Sequence, residues 1–287
     1  MRYEAPRKLK RAVALLSAES GVARVLAGGT DLLVQLRSER IEPDLILDIK
    51  RIESMHAIAA ERGGYRIGAA VSCAALGEHA GVKQLWPGVV EAATLIGSTQ
   101  VQGRATMAGN LCNASPAADA APALIAAGAT VAIAGPGGRR EVPAEAICLA
   151  PGRNALEKGE IVESLYLPAR PERSGDAYLR LIPRSEMDIA VVSAGVSLSL
   201  DAAGRCSAAR VALGAVAPRP LRVEAAAAAL IGSDLDEAVL AVLAAACAAA
   251  CDPIDDKRGT VEYRTEVAGV LAKRAAVIAQ TRAGGAA

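Results

Sequence analysis

The sequence predicts an α+β protein: a small strand–helix–strand unit, a larger α+β unit, and a C-terminal domain made of a sheet with helices on one side. Three observations carry this. Two apolar strand patterns flank an amphipathic helix within residues 23–50. A two-strand pattern around "GPGG" follows an irregular small-residue segment in mid-chain. Alternating strand patterns and then three helical stretches fill the last hundred residues. At 287 residues the chain exceeds the ~250 that a single core usually serves, so several subdomains are expected.

The first unit, residues 1–55, holds "ARVLAGG", "TDLLVQLRSER" and "DLILDIK", a βαβ unit whose strands should run parallel. Gly28 and Gly29 stand at the strand-to-helix turn, and Thr30 or Asp31 can cap the helix. The second unit, residues 56–173, contains "GYRIGAAVSCAALGEH", the helical "LWPGVVEAATLIG" and the small-residue loop "ATMAGNLCNASPAADAAPAL". It continues through the hairpin "GATVAIAGPGGRREVPA", whose turn reads as solvated, and "GEIVESLYLPA". "RPERSGD" reads as a polar linker into the third unit, residues 177–282. There "VSAGVSLSL" and "AARVALGAVA" alternate around an Asp-Ala-Ala-Gly turn, with helices expected near 222–231, 235–251 and 262–281.

Composition removes several function classes. With 32 basic and 31 acidic residues and no basic block, the chain is not expected to bind nucleic acid. One Trp, five Tyr and no Phe leave no platform for stacking bases. The run "AVLAVLAAACAAAC" is shorter than the ~20 residues of a membrane-spanning helix, and the N-terminal stretch lacks a secretory pattern, so a cytoplasmic protein is expected. Six cysteines form no CxxC pair and read as small buried hydrophobes, not cluster or zinc ligands. Two histidines offer little for a catalytic triad or metal site. No catalytic acid–base set and no metal site emerge.

What remains is a pair of glycine-bearing loops, "LAGGTDL" at 26–32 and "TMAGNL" at 106–111. Each offers backbone N–H groups beside a threonine hydroxyl, and two such loops could grip the two phosphates of a dinucleotide. Tight turns in ordinary crossovers account for the same residues equally well. Neither loop matches GxxxxGK[ST], or GxGxxG with a following acidic residue.

Five stretches in order, "YEAPRKLKRAVALL", "RVLAGGTDLL", "RATMAGNLCNASPAADAAPAL", "IPRSEMDIAVVSAGV" and "CDPIDDKRGTVEYR", make the chain resemble the FAD-binding (medium) subunit of the molybdenum hydroxylases. That family includes subunits of xanthine dehydrogenase, aerobic carbon monoxide dehydrogenase and hydroxybenzoyl-CoA reductase. The resemblance implies a two-subdomain FAD-binding domain followed by a C-terminal α+β domain. It implies a first pyrophosphate loop at Val25, Leu26, Ala27, Gly28, Gly29, Thr30, Asp31 and Leu32, and a second at Thr106, Met107, Ala108, Gly109 and Asn110. Asp119 matches an acidic residue near the flavin and ribityl chain, and Ile96, Leu181 and Arg184 are weaker matches.

Alternatives stay open at four places. Asp119 can also cap the helix that follows it, and the two roles are compatible. Arg184 can form an ion pair with Asp188 instead of contacting cofactor, and "CDPIDDKRG" reads as a solvated loop or a subunit contact. Ala108 stands where the family pattern "TIGGN" has glycine, which matters if the position requires φ > 0.

The implied role is an FAD-carrying electron-transfer subunit. It would take electrons from the [2Fe–2S] clusters of a small subunit and pass them to NAD⁺, a quinone, a ferredoxin or oxygen. Substrate chemistry would occur at molybdopterin on a large subunit, in a heterotrimer that can pair into a dimer of trimers. One branch of the family carries a [4Fe–4S] cluster in an inserted Cys-rich loop, and no such insertion is visible here. A stand-alone flavin-dependent NAD(P)H oxidoreductase and an FAD-free structural subunit are the competing readings.

Overall fold

The structure is a computed structural model that describes residues 1–284. The first unit comprises β1 (Arg2–Glu4), α1 (Leu9–Ala18), β2 (Ala23–Leu26), α2 (Leu32–Arg37) and β3 (Leu45–Asp48). Its sheet has the order β1-β3-β2 and is parallel throughout. The expected βαβ pair is therefore present, with an additional edge strand at the N-terminus. The middle strand β3, "LILD", is buried at every position, as a strand covered on both faces requires. Asp48 pays no isolation penalty there: against its burial, Lys50 and the Tyr3 hydroxyl hold its carboxyl below the usual range.

The second unit runs through β4 (Ile58–Glu61), β5 (Gly64–Gly68), α3 (Cys73–Glu78), α4 (Ala80–Leu85), α5 (Pro87–Leu95), α6 (Thr99–Gln102), α7 (Met107–Cys112) and α8 (Ala120–Ala126). It then adds β6 (Thr130–Gly135), β7 (Gly138–Pro143), β8 (Cys148–Ala150), β9 (Arg153–Asn154) and β10 (Ile161–Leu167). Five of these strands form an antiparallel sheet in the order β4-β5-β10-β6-β7. The "GPGG" turn joins β6 to β7 in solvent, with open space around Gly137. Every residue of α8, "AAPALIA", is buried, because its small side chains let elements pack on it from several sides.

The third unit comprises β11 (Ser174–Leu181), β12 (Val192–Leu200), β13 (Cys206–Gly214), β14 (Leu221–Arg222), α9 (Glu224–Leu230), α10 (Glu237–Ala249) and α11 (Val261–Arg282). Its antiparallel sheet follows chain order. One expectation is corrected here. The polar "RPERSGD" is not all linker: Ser174, Gly175 and Asp176 open β11 and are buried. The unit's own helices lie on one side of its sheet, as expected. Ala177, Val192, Ala194 and Val196 face the core under α10 and α11, whereas Gly195 lies so close to α8 that a Cβ would stand 2.6 Å from the Pro122 carbonyl oxygen. The other face of this sheet is thus covered by the second unit.

The cysteines are dispersed: Cys73, Cys148, Cys206 and Cys247 are buried, Cys112 and Cys251 half-buried, and all six are free thiols. Among the described residues no helix is long and apolar enough to cross a membrane.

Candidate functional site

A cleft of about 750 Å³ opens between the first and second units. One wall is the β2–α2 loop, the floor includes Ala69 and Ile161, and the opposite wall carries the segment from Ala105 to Asn113. The two glycine loops, far apart in sequence, meet here in direct contact. A Cβ on Gly28 would stand 2.0 Å from the Arg104 carbonyl oxygen, so only glycine lets the two backbones lie against each other. Gly29 adopts φ +82°, a left-handed conformation that turns the chain from β2 into α2. Lys50 donates to the Ala27 carbonyl at 3.2 Å while pairing with Asp48 at 2.8 Å, which ties this loop to the parallel sheet beneath it.

The second loop is preorganised from within. Thr106 N-caps α7, its hydroxyl accepting from Gly109 N–H at 2.9 Å. Asn110 Oδ1 accepts from Ala120 N–H at 2.9 Å, fixing the loop to the start of α8. Capping leaves the Met107 and Ala108 amides as first-turn groups without an intrahelical partner. Ala108 resolves one open question: it lies within α7, and no positive φ occurs there, so its methyl imposes no backbone strain. Across the end of the cleft Gln35 donates to Asn113 at 3.2 Å, and Asn113 donates to Asp31 at 3.3 Å. Asp31 sits at the N-cap of α2 but makes no side-chain cap, contrary to expectation. Desolvation by the surrounding walls raises its carboxyl above the ordinary range.

Of the residues expected at the site, Val25, Ala27, Gly28, Gly29, Thr30, Asp31 and Leu32 lie on the cleft, as do Ile96, Thr106, Ala108, Gly109 and Asn110. Leu26 and Met107 do not; both side chains are buried. Leu181 packs against the core of the C-terminal unit, on the opposite face of β11 from Arg180, and Arg184 is exposed and paired with Asp188 at 3.0 Å. Neither lies on the cleft wall. The cleft is also lined by the segment from Gly152 to Glu160 around β9, which carries no recognisable sequence motif.

Asp119 does not line the cleft wall, and of its two readings the helix cap is not observed. It is buried, and although it precedes α8 its side chain does not cap the helix. Instead Oδ1 accepts from the Tyr178 hydroxyl at 2.6 Å, and Oδ2 from Arg180 at 2.8 Å. Both partners come from β11 of the third unit. Burial raises the Asp119 carboxyl in spite of the Arg180 guanidinium and the Tyr178 hydroxyl. The same charge, after burial, helps push the neighbouring Cys73 thiol up to about 12. Arg180 Nε is buried with no partner in the protein, while the ionised carboxylate keeps unused acceptor capacity.

Asp176 repeats the pattern two residues earlier. It accepts from Gly88 N–H at 2.8 Å and from Arg170 at 2.7 Å, while Arg170 lies 4.8 Å above the Trp86 ring. Asp176, Tyr178 and Arg180 therefore project from one face of β11 and join the third unit to the second.

The chain matches two family models: "FAD binding domain in molybdopterin dehydrogenase" over residues 1–170, and "CO dehydrogenase flavoprotein C-terminal domain" over residues 177–278. It is 34% identical to the carbon monoxide dehydrogenase medium chain of Hydrogenophaga pseudoflava, over 95% of this chain and 94% of that one. It is 31% identical to a putative xanthine dehydrogenase FAD-binding subunit of Escherichia coli K12, over 99% and 97% of the two chains. A solved structure of carbon monoxide dehydrogenase from Hydrogenophaga pseudoflava, lacking the Mo-pyranopterin moiety of its molybdenum cofactor, superposes with a TM-score of 0.94 at 35% identity, covering 98% of each chain.

Proposed function

The chain belongs to the FAD-binding subunits of the molybdopterin dehydrogenases, and on that premise we propose that it passes electrons from a partner's redox centres to an external acceptor. The observation that supports this most is the meeting of the two glycine loops at the cleft, where Gly28 has no room for a side chain. Bound FAD would supply the redox chemistry itself. The work of the protein is to bind, orient and shield it.

In this reading the amides of residues 27–32 and of Met107 and Ala108 hold the pyrophosphate, with Thr106 and Asn110 keeping the second loop in shape. Asp119 and Arg180 hold hydroxyl groups of the ribityl chain. A hydroxyl both donates and accepts, which suits a carboxylate with spare acceptor capacity beside an unpartnered Arg180 Nε–H. Leu181 and Arg184 take no direct part. Residues 1–55 and 56–173 form the two flavin-binding subdomains, and residues 177–282 the C-terminal domain.

The partners in this proposal are a large molybdopterin-binding subunit and a small [2Fe–2S] subunit, in a cytoplasmic heterotrimer. The FAD-free scaffold loses its motivation, since Ala108 sits without strain in α7. Tagged purification from the native host tests the reading. One FAD per chain with molybdenum, iron and two further polypeptides is expected. A lone polypeptide with FAD would indicate a stand-alone reductase, and a complex without flavin would refute the cofactor assignment.

A further inference from the structure

Tyr178 is not on the cleft, is 1% exposed, and spends its hydroxyl on a single carboxylate. Placing a phenol in a packed interior requires a partner for its O–H, and here the partner is Asp119 at 2.6 Å. The strand that carries the ring is held in place. The Tyr178 backbone N–H donates to Glu91 Oε2 at 3.0 Å, and its neighbours on the same face of β11, Asp176 and Arg180, are each anchored in an ion pair. The hydroxyl of this buried ring is directed at Asp119.

Asp119 needs such a restraint. Its backbone is fixed one residue later, where Ala120 N–H donates to Asn110 on the cleft wall, but its carboxylate would otherwise be free to rotate about two bonds. Arg180 restrains Oδ2 and Tyr178 restrains Oδ1, so two different donors on two oxygens set the plane of the carboxylate. Burial makes an ionised Asp119 costly, and the phenol offsets part of that cost by a charge-assisted hydrogen bond.

We propose that Tyr178 is a positioning residue of the flavin site, acting through Asp119 to fix how that carboxylate meets the ribityl chain. The inference rests on the FAD reading given above and extends the site into the C-terminal unit, beyond residues 1–170 that match the FAD-binding model.

The test uses the full chain and reads the dissociation constant for FAD by flavin fluorescence, alongside the melting temperature of the flavin-free protein. Tyr178→Phe keeps the ring and removes only the hydroxyl, and should weaken FAD about tenfold. Asp119→Asn should weaken it at least as much, since Tyr178 acts through that residue, and this variant carries the test should Tyr178→Phe fail to fold. Arg170→Ala breaks a contact between the same units without touching Asp119. It should lower the melting temperature and leave the FAD constant within about twofold. A Tyr178→Phe protein that loses stability but binds FAD like the wild type overturns the inference, and so does an Asp119→Asn protein with wild-type affinity. Wild-type chain that binds no FAD would overturn both this inference and the cofactor reading, which separates the two failures.

Discussion

Gly28→Ala is the sharpest perturbation of the cleft. The added methyl would stand 2.0 Å from the Arg104 carbonyl oxygen, 2.7 Å from its carbonyl carbon and 3.0 Å from Ala105 Cα. That nearest approach is about 1.4 Å closer than ordinary van der Waals contact. All three atoms are backbone, so no side chain can swing aside, and one of the two loops must move by an ångström or so. Overpacking of this kind costs roughly 1–3 kcal/mol. For a chain of this size that corresponds to a fall of roughly 2–12 °C in melting temperature. If the displaced loops must be pushed back for the cofactor to bind, FAD affinity falls about 5- to 150-fold. Thermal melts and an FAD titration on the purified chain read both effects. Gly137→Ala, where nothing lies within 4 Å of the new methyl, is the control and should change stability by less than about 1 kcal/mol. Gly28→Ala protein with a wild-type melt and FAD affinity within about twofold of wild type would refute the packing of the two loops as the basis of the site.

Other consequences can be measured in the same way. Arg180→Ala leaves the buried Asp119 without its cation, and should cost about 3–5 kcal/mol, seen as a lowered melting temperature. Burial, outweighing Arg170, raises the Asp176 carboxyl to about 6 in the folded chain. The native state therefore binds more protons than the unfolded one between about pH 4 and 6, and that contribution to stability is lost as pH rises through this range. Asp176→Asn, neutral throughout, should gain on the wild type by up to about 3 kcal/mol in melts taken from pH 4 to pH 7. Residues 1–173 expressed alone would expose the face of α8 that Gly195 covers and strip Asp119 of both partners. That fragment should show neither a cooperative melt nor retained FAD.

Much of this fold is legible in the residues themselves. The β2–α2–β3 unit announces itself by two apolar runs around an amphipathic stretch, and the β6–β7 and β12–β13 hairpins by period-two alternation around turn residues. The glycine loops are legible for the same reason, since φ > 0 at Gly29 and the close approach at Gly28 are local demands on residue type. What escaped was non-local. β11 begins in "SGD", whose polarity signals solvent until Arg170 and Gly88 are found waiting for Asp176. β1 owes its place to pairing with β3, over forty residues later, with register Arg2↔Leu45. Asp119 resembles a helix cap by position alone, and only the fold reveals the two donors that claim its oxygens. Burial of charge is decided by partners brought from elsewhere in the chain, and no window of sequence contains them.

The contact between Tyr178 and Asp119 spans 59 residues, and a ribosome makes the two ends at different times. At about 5–20 residues per second the carboxylate is synthesised roughly 3–12 s before the strand that will hold it. Arg282, which donates to the Asp176 carbonyl and pairs with Glu91, follows about a hundred residues later still. During that interval the Asp119 carboxylate has neither of its donors. Its two partners arrive only with β11, and the contact that ties β11 back to Glu91 arrives only with the last turn of α11.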